Sequence, residues 1–218
     1  MTTRSFGQFC GVARALETVG ERWALLLVRD LLVGPRRFSD LRRGLPRIPT
    51  NVLSARLREL EEAGVVERRL LPRPETGSVY ALTPLGQELE PTLLALGRWG
   101  ARTLGDPRPG EVVTVDSLVM TLRAAFRPER AAGVRLGVEV RFGALVLHAR
   151  VDDGRLAAEP GPLDEPDLVI EAGPSLRALL DGTLLPTAAR RRGDVRLTGD
   201  AARLDRFVAV FSLAPASD

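Results

Sequence analysis

The chain has 218 residues, 44% hydrophobic and 27% charged, a balance that excludes collagen-like, largely disordered and coiled-coil classes and leaves room for two small domains. The longest unbroken apolar run, residues 23–28, is far short of the roughly 20 residues a membrane span needs. Arg4, Arg14 and Glu17 stand where a secretory signal would need an apolar core of about 7–15 residues, and a lone cysteine, Cys10, excludes an intrachain disulfide; both predict a cytoplasmic protein with no membrane partner.

All 31 basic residues are arginines, and the net charge is only +3. Its distribution says more. Residues 1–105 hold 16 arginines against 11 acids, whereas 106–218 hold 15 against 17. Within the first half, residues 29–73 alone carry 11 arginines against 6 acids, so the positive excess sits where a polyanion could be met.

Taken in chain order, residues 10–19 and 21–33 are apolar-rich helical segments separated by Gly20, the second stopped by Gly34-Pro35. A short helix follows at 38–45, closed by Pro46, and then a helix at 49–63, with Pro49 near its first position and Gly64 just past its end. Two β-prone runs, 65–71 and 78–82, are joined by the turn residues 72–77 and read as a hairpin. Thr83 and Pro84 then open a helix to about residue 104, which Pro91 should kink.

Four helices, a hairpin and a helix form the order of a winged helix-turn-helix, in which the second helix of the motif enters the DNA major groove. On the helix at 49–63, Leu53, Leu57 and Leu60 recur at helical spacing and must face a core. Asn51, Ser54, Ala55, Arg58 and Glu62 then point outward. Asn can pair bidentately with adenine and Arg with guanine, while Ser serves a base or a phosphate. Glu59, Glu61 and Glu62 confine the approach to the N-terminal half of the helix, since carboxylates repel phosphate. Arg68, Arg69 and Arg73 on the hairpin would lie near phosphates or a minor groove. The candidate contacts to double-stranded operator DNA are Arg36, Arg37, Ser39, Thr50, Asn51, Ser54, Arg56, Arg58, Arg68 and Arg73. Each arginine taken singly is equally consistent with a solvated surface charge.

The run GDPRPG at 105–110 cannot continue a helix or a central strand, and we place a linker at 106–111 between domains at 1–105 and 112–218. Beyond it, Asp116 opens a helix to about residue 126, and alternating runs at 138–142 and 145–151 read as strands joined by Gly143-Ala144. Alternation puts Val138, Val140 and Phe142 on one face and Glu139 and Arg141 on the other; His148 also falls on an outward face. A strand at 167–171, a short helix at 174–181, a strand at 193–199 and a helix capped by Asp200 complete an α+β sheet with helices on one face. The cluster Arg190-Arg191-Arg192 fits a solvated helix end, a secondary phosphate contact or a carboxylate anchor. No metal-ligand spacing, phosphate-binding loop or catalytic triad order is present, so neither enzyme nor cofactor is expected.

The pieces CGVARAL at 10–16, GERW at 20–23, LLVGPRRFSDL at 31–41, VLSARLRELEEAGVVER at 52–68, YALTPLG at 80–86 and Trp99-Gly100 together resemble the HxlR-type bacterial transcriptional regulators. The resemblance spans about residues 6–104. It implies a homodimer built by the first and last helices, with each subunit's wing and recognition helix on one half-site. The sequence departs from the family where Ser-Pro and a basic residue often open the recognition helix; here stand Pro49-Thr50-Asn51. The stripe Leu85, Leu89, Leu93 and Leu96, followed by Trp99, fits either a dimer contact or intramolecular core. Some HxlR-type regulators sense thiol-reactive species through a cysteine at the place of Cys10, which makes Cys10 a candidate redox sensor; a buried, inert thiol is the base case.

The pattern LLDG at 179–182 followed by GDVRLTGD at 193–200 and an amphipathic helix resembles sterol-carrier-protein-type domains over about residues 112–213. That resemblance implies an apolar cavity between sheet and helices for an apolar small-molecule ligand, with Leu118, Leu122, Val140, Leu147, Leu180, Phe207 and Phe211 as candidate lining; a filled core is the alternative. The combined reading is a dimeric transcriptional regulator modulated by such a ligand. The alternative is a lipid or small-molecule carrier whose winged-helix half serves mainly for dimerisation.

Overall fold

A computed structural model describes residues 5–72, 74–105 and 108–214. The chain divides into two compact units, Met1–Leu93 and Leu94–Asp218. In the first, α1 (Gly11–Val19), α2 (Ala24–Val33), α3 (Phe38–Gly44) and α4 (Thr50–Glu62) precede a hairpin of β1 (Val66–Leu70) and β2 (Ser78–Leu82), followed by α5 (Pro84–Gln87) and α6 (Glu90–Ala101). The core gathers Leu27, Val28 and Leu31 of α2, Leu41 of α3, and Leu53, Leu57 and Leu60 of α4, each at most 3% exposed. Burying a side chain of this size stabilises by roughly 1.5–3 kcal/mol, so the three α4 leucines fix that helix rotationally. Gly64, in the left-handed region at φ +69°, ends α4 as the sequence predicts. Gly86 has a different cause: a Cβ there would lie 2.2 Å from the Val65 carbonyl oxygen, so only glycine lets α5 sit this close to the strand entry.

The helix expected at 84–104 is two helices. Pro91 has no N–H to donate, the path breaks at Glu88–Leu89, and α6 begins at Glu90. The division between units falls within α6, ahead of the linker that proline and glycine mark in the sequence. Within the second unit Arg98 donates to the Ala124 carbonyl at 3.2 Å, so the C-terminal part of α6 belongs there, whereas Gly-Pro punctuation reports only where the chain can bend. Two residues of that linker, Asp106 and Pro107, lie outside the described residues.

The second unit runs α7 (Val115–Ala125), β3 (Arg135–Phe142), β4 (Leu145–Asp152), β5 (Arg155–Pro160), β6 (Leu168–Glu171), α8 (Ser175–Asp181), α9 (Pro186–Arg192), β7 (Arg196–Gly199) and α10 (Arg203–Val210). The strands form one mixed sheet in the order β5-β4-β3-β6-β7, with β3 and β6 parallel and all other pairs antiparallel. Thr114, not Asp116, caps α7: its hydroxyl accepts from the Ser117 amide at 3.1 Å, and Ser117 returns the bond. The sequence reading missed β5, because Arg155–Pro160 places alanines and a terminal proline where a strand pattern wants β-branched residues. Asp200 serves the turn before α10, its carboxylate accepting from the Ala202 amide at 2.9 Å, and the helix itself starts at Arg203.

Alternation holds on β3 and β4 with one exception. Val138, Val140, Leu147 and Ala149 are buried as expected, but Glu139, assigned to the outward face, is only 3% exposed. The segment 161–167 between β5 and β6 covers that face, and its Leu163 amide donates to the Glu139 carboxylate at 3.0 Å. Arg141 donates to the same carboxylate at 2.7 Å. Burial raises the Glu139 pKa, yet the Leu163 amide and the Arg141 guanidinium outweigh burial and hold the group below the ordinary glutamate value. A connection crossing the sheet is invisible to strand periodicity. His148, on the same face, bonds through Nδ1 to the Gly161 carbonyl at 3.1 Å and is half-buried.

Candidate nucleic-acid interface

Because Leu53, Leu57 and Leu60 point inward at 0–1% exposure, α4 presents the opposite face outward, and Thr50, Asn51, Ser54 and Arg58 are all exposed. The first turn of α4 carries no acid, so nothing there opposes an approaching phosphate. Ser54 returns its hydroxyl to the Thr50 carbonyl at 3.0 Å, which pre-orients its oxygen. Arg58 has Glu62 at 3.8 Å across one turn, with both side chains more than half exposed. A pair this exposed contributes about 0.3–0.5 kcal/mol and yields readily to a stronger partner. Arg56 is placed differently. Its side chain is 19% exposed, bonded to Glu59 and 3.8 Å from Glu21, so it is held by the protein rather than presented with Asn51 and Arg58.

The segment before α3 is bound to the hairpin by contacts that periodicity does not reveal. Arg36 and Tyr80 form a backbone bridge, with N–O distances of 3.0 and 2.8 Å. Arg37 donates to the Thr76 carbonyl at 2.9 Å and lies 3.6 Å from the Glu75 carboxylate. Arg36 through its backbone and Arg37 through its guanidinium thus brace the hairpin against α3, and the Arg37 side chain remains 43% exposed. Ser39, in the first turn of α3, is exposed. On the hairpin, Arg68 is exposed and donates to the Ser78 hydroxyl at 2.7 Å, while Arg69 pairs with Glu67. Arg73 lies outside the described residues.

Apolar side chains are also exposed on the first and last helices of this half. Val12 and Leu16 on α1 are 70% and 46% exposed, and Phe9 just before it is fully exposed. The stripe on α5 and α6 is divided: Leu89 and Leu93 pack against the core, whereas Leu85, Leu96 and Trp99 are exposed. Cys10 departs from the expectation of a buried thiol. It stands exposed at the N-cap position of α1, and the nearby amides of Ala13 and Val12 favour its thiolate and lower its pKa.

The family model for the HxlR-like helix-turn-helix matches residues 18–107. An uncharacterized HTH-type transcriptional regulator of Bacillus subtilis, YvaP, is 38% identical over 94 residues, covering 43% of this chain and 86% of that protein. The chain belongs to the HxlR-like helix-turn-helix family. Another relative, the uncharacterized HTH-type transcriptional regulator Rv3095 of Mycobacterium tuberculosis, is 44% identical over 98 residues. That match covers 45% of this chain and 60% of the mycobacterial protein, so the chain spans less than two thirds of that relative. Among solved structures, the redox regulator HypR in its oxidized form is 34% identical, covers 45% of this chain and 100% of that one, and superposes with a TM-score of 0.41. The HxlR-like match ends at residue 107, so the second unit's sheet lies wholly beyond it.

The seven candidate ligand-lining residues of the second unit are all buried, from 0% for Leu122, Val140, Leu147 and Phe207 to 8% for Leu118. Phe207 and Phe211 stack at 4.8 Å between ring centroids, and Phe211 meets Phe126 at 5.6 Å. Among the described residues no helix is long and apolar enough to cross a membrane, and no group of three metal-ligating side chains occurs.

Proposed function

We propose that this HxlR-like protein is a cytoplasmic transcriptional regulator that binds operator DNA as a homodimer. The observation that carries the reading is the two-faced α4: three leucines buried on one side, and Thr50, Asn51, Ser54 and Arg58 exposed on the other, at the position of a recognition helix. In the groove, Asn51 and Arg58 would read base edges, while Thr50 and Ser54 would bond bases or phosphates. Arg36, Arg37, Ser39, Arg68 and Arg73 would position the protein on the backbone. Arg56 would reach DNA only by releasing Glu59 and Glu21, so its contribution would be the smallest. Exposed Phe9, Val12 and Leu16 at the first helix, and exposed Leu96 and Trp99 on α6, support dimerisation through the first helix and the 84–104 segment.

The second half, residues 112–218, is read as a sterol-carrier-protein-like domain that tunes DNA binding in response to an apolar small molecule. Helices over a mixed sheet with an apolar interior support that reading. Since all seven lining residues are buried, a ligand would enter only by parting buried side chains, the stacked Phe207 and Phe211 among them, and its binding energy would have to exceed that cost. Cys10 is read as a redox or electrophile sensor, because it is exposed and its thiolate is favoured. Oxidation by diamide would then release DNA from the native protein and not from Cys10→Ser.

Selection from a pool of random duplexes with the full-length protein tests the core reading. A two-fold symmetric site with half-sites about one helical turn, roughly 10 base pairs, apart is expected. Enrichment of no site, or of a single asymmetric one, would overturn the dimeric operator model.

A further inference from the structure

The second half carries more acids than arginines, yet Arg190, Arg191 and Arg192 end α9 with no ion pair to any described residue. Some arginines of the same unit are matched to acids, Arg141 to Glu139 and Glu171, Arg135 to Asp152, Arg203 to Asp167, and others such as Arg150 and Arg155 are single solvated charges; α9 differs in carrying three adjacent cations. Helix-dipole stabilisation accounts for one cation near a helix C-terminus, but three adjacent guanidinium groups repel one another and α9 has only seven residues. Their arrangement is also specific. Thr187, Arg190 and Arg191 stand at i, i+3 and i+4 on one helix face and together line an open recess of about 470 Å³. All three are exposed. A hydroxyl and two forked guanidiniums exposed on one helix face form a donor set for phosphate oxygens.

We propose that the Thr187, Arg190 and Arg191 face of α9 is a second contact for the phosphate backbone of duplex DNA, supplied by the half of the chain beyond the helix-turn-helix. The inference rests on the DNA-binding reading above. The contact is electrostatic and independent of sequence: it adds affinity on every duplex and leaves base preference to α4. DNA is the favoured occupant because the cluster is matched to a polyanion and the chain carries a helix-turn-helix family match.

The test is the salt dependence of duplex binding by the full-length protein, measured by fluorescence anisotropy for wild type, Arg190→Ala/Arg191→Ala, Arg190→Lys/Arg191→Lys and Arg58→Ala. Each phosphate contact contributes about −0.9 to the slope of log K against log salt, so the double alanine variant should bind with a slope shallower by about one to two. Its ratio of specific to non-specific affinity should be unchanged, and the double lysine variant should recover the wild-type slope. A slope unchanged in the alanine variant, with Arg58→Ala weakening binding, would overturn the inference and leave the DNA-binding reading intact. Wild type that binds no duplex at any salt concentration would remove both. A thermal shift produced by inorganic phosphate and lost in the alanine variant, with the DNA slope unchanged, would assign the face to a small anion and overturn the DNA contact.

Discussion

The outward face of α4 and the interior of the second unit are both built from residues that sequence periodicity singled out, and they differ in what they leave open. On α4 the apolar side chains are consumed by the core and the polar ones remain exposed, so the polar chemistry faces outward. In the second unit the apolar side chains proposed as pocket lining are themselves the core, with Phe207 and Phe211 in ring contact. Amphipathic spacing therefore locates an outward polar face, because burial of one side dictates exposure of the other. It does not locate an apolar cavity, because filled and hollow cores need the same residue types.

The largest effects should come from the two cores. Leu57→Ala should cost about 2–5 kcal/mol and Phe207→Ala about 3–5 kcal/mol, measured by chemical denaturation. If Phe207 faced a cavity, its truncation would cost well under that range, and the contrast between the two regions would fail.

Leu147→Trp sharpens the same contrast from the opposite direction. In a filled interior, the added volume should destabilise by about 1–3 kcal/mol. An unchanged melting temperature would indicate vacant space beside Leu147, and with it room for an apolar ligand.

Glu139→Gln should destabilise by about 1–2 kcal/mol at neutral pH, since it removes a charged acceptor from the Leu163 amide and Arg141. The folded-state pKa of Glu139 is lowered, so its contribution is complete above the unfolded value near 4.3 and fades as pH falls through the folded one. Wild type and variant should converge in acid; a gap that is constant from pH 7 to 3 would show that charge plays no part. Arg56→Ala should have the smallest effect on DNA, under about 1 kcal/mol, with any loss appearing in stability instead, because Glu59 and Glu21 already hold the guanidinium.

The first unit was legible in the sequence wherever local chemistry dictates structure. Pro49 and Gly64 bracket α4, the leucine spacing fixes its face, and the turn residues after Leu71 mark the hairpin. Features depending on distant contacts were not legible. The Arg37 bond to the Thr76 carbonyl joins residues 39 apart in sequence, and the burial of Glu139 depends on a segment 24 residues downstream. Pro91 was read as a kink, but its missing donor coincides with a complete break between α5 and α6. Cys10 is exposed although cysteine is usually buried, because the N-cap position of α1, beside exposed Phe9 and Val12, stands in the open.

Base reading, in the function proposed above, resides on the exposed face of α4. Its most direct test is the ratio of affinities for the selected operator and a scrambled duplex, at one fixed salt concentration, for wild type, Asn51→Ala and Arg58→Ala. The account predicts that each variant loses roughly 1–3 kcal/mol of discrimination, with non-specific affinity changed far less for Asn51→Ala than for Arg58→Ala. If both variants keep the wild-type ratio, α4 does not read the operator and the assignment of the recognition face is wrong.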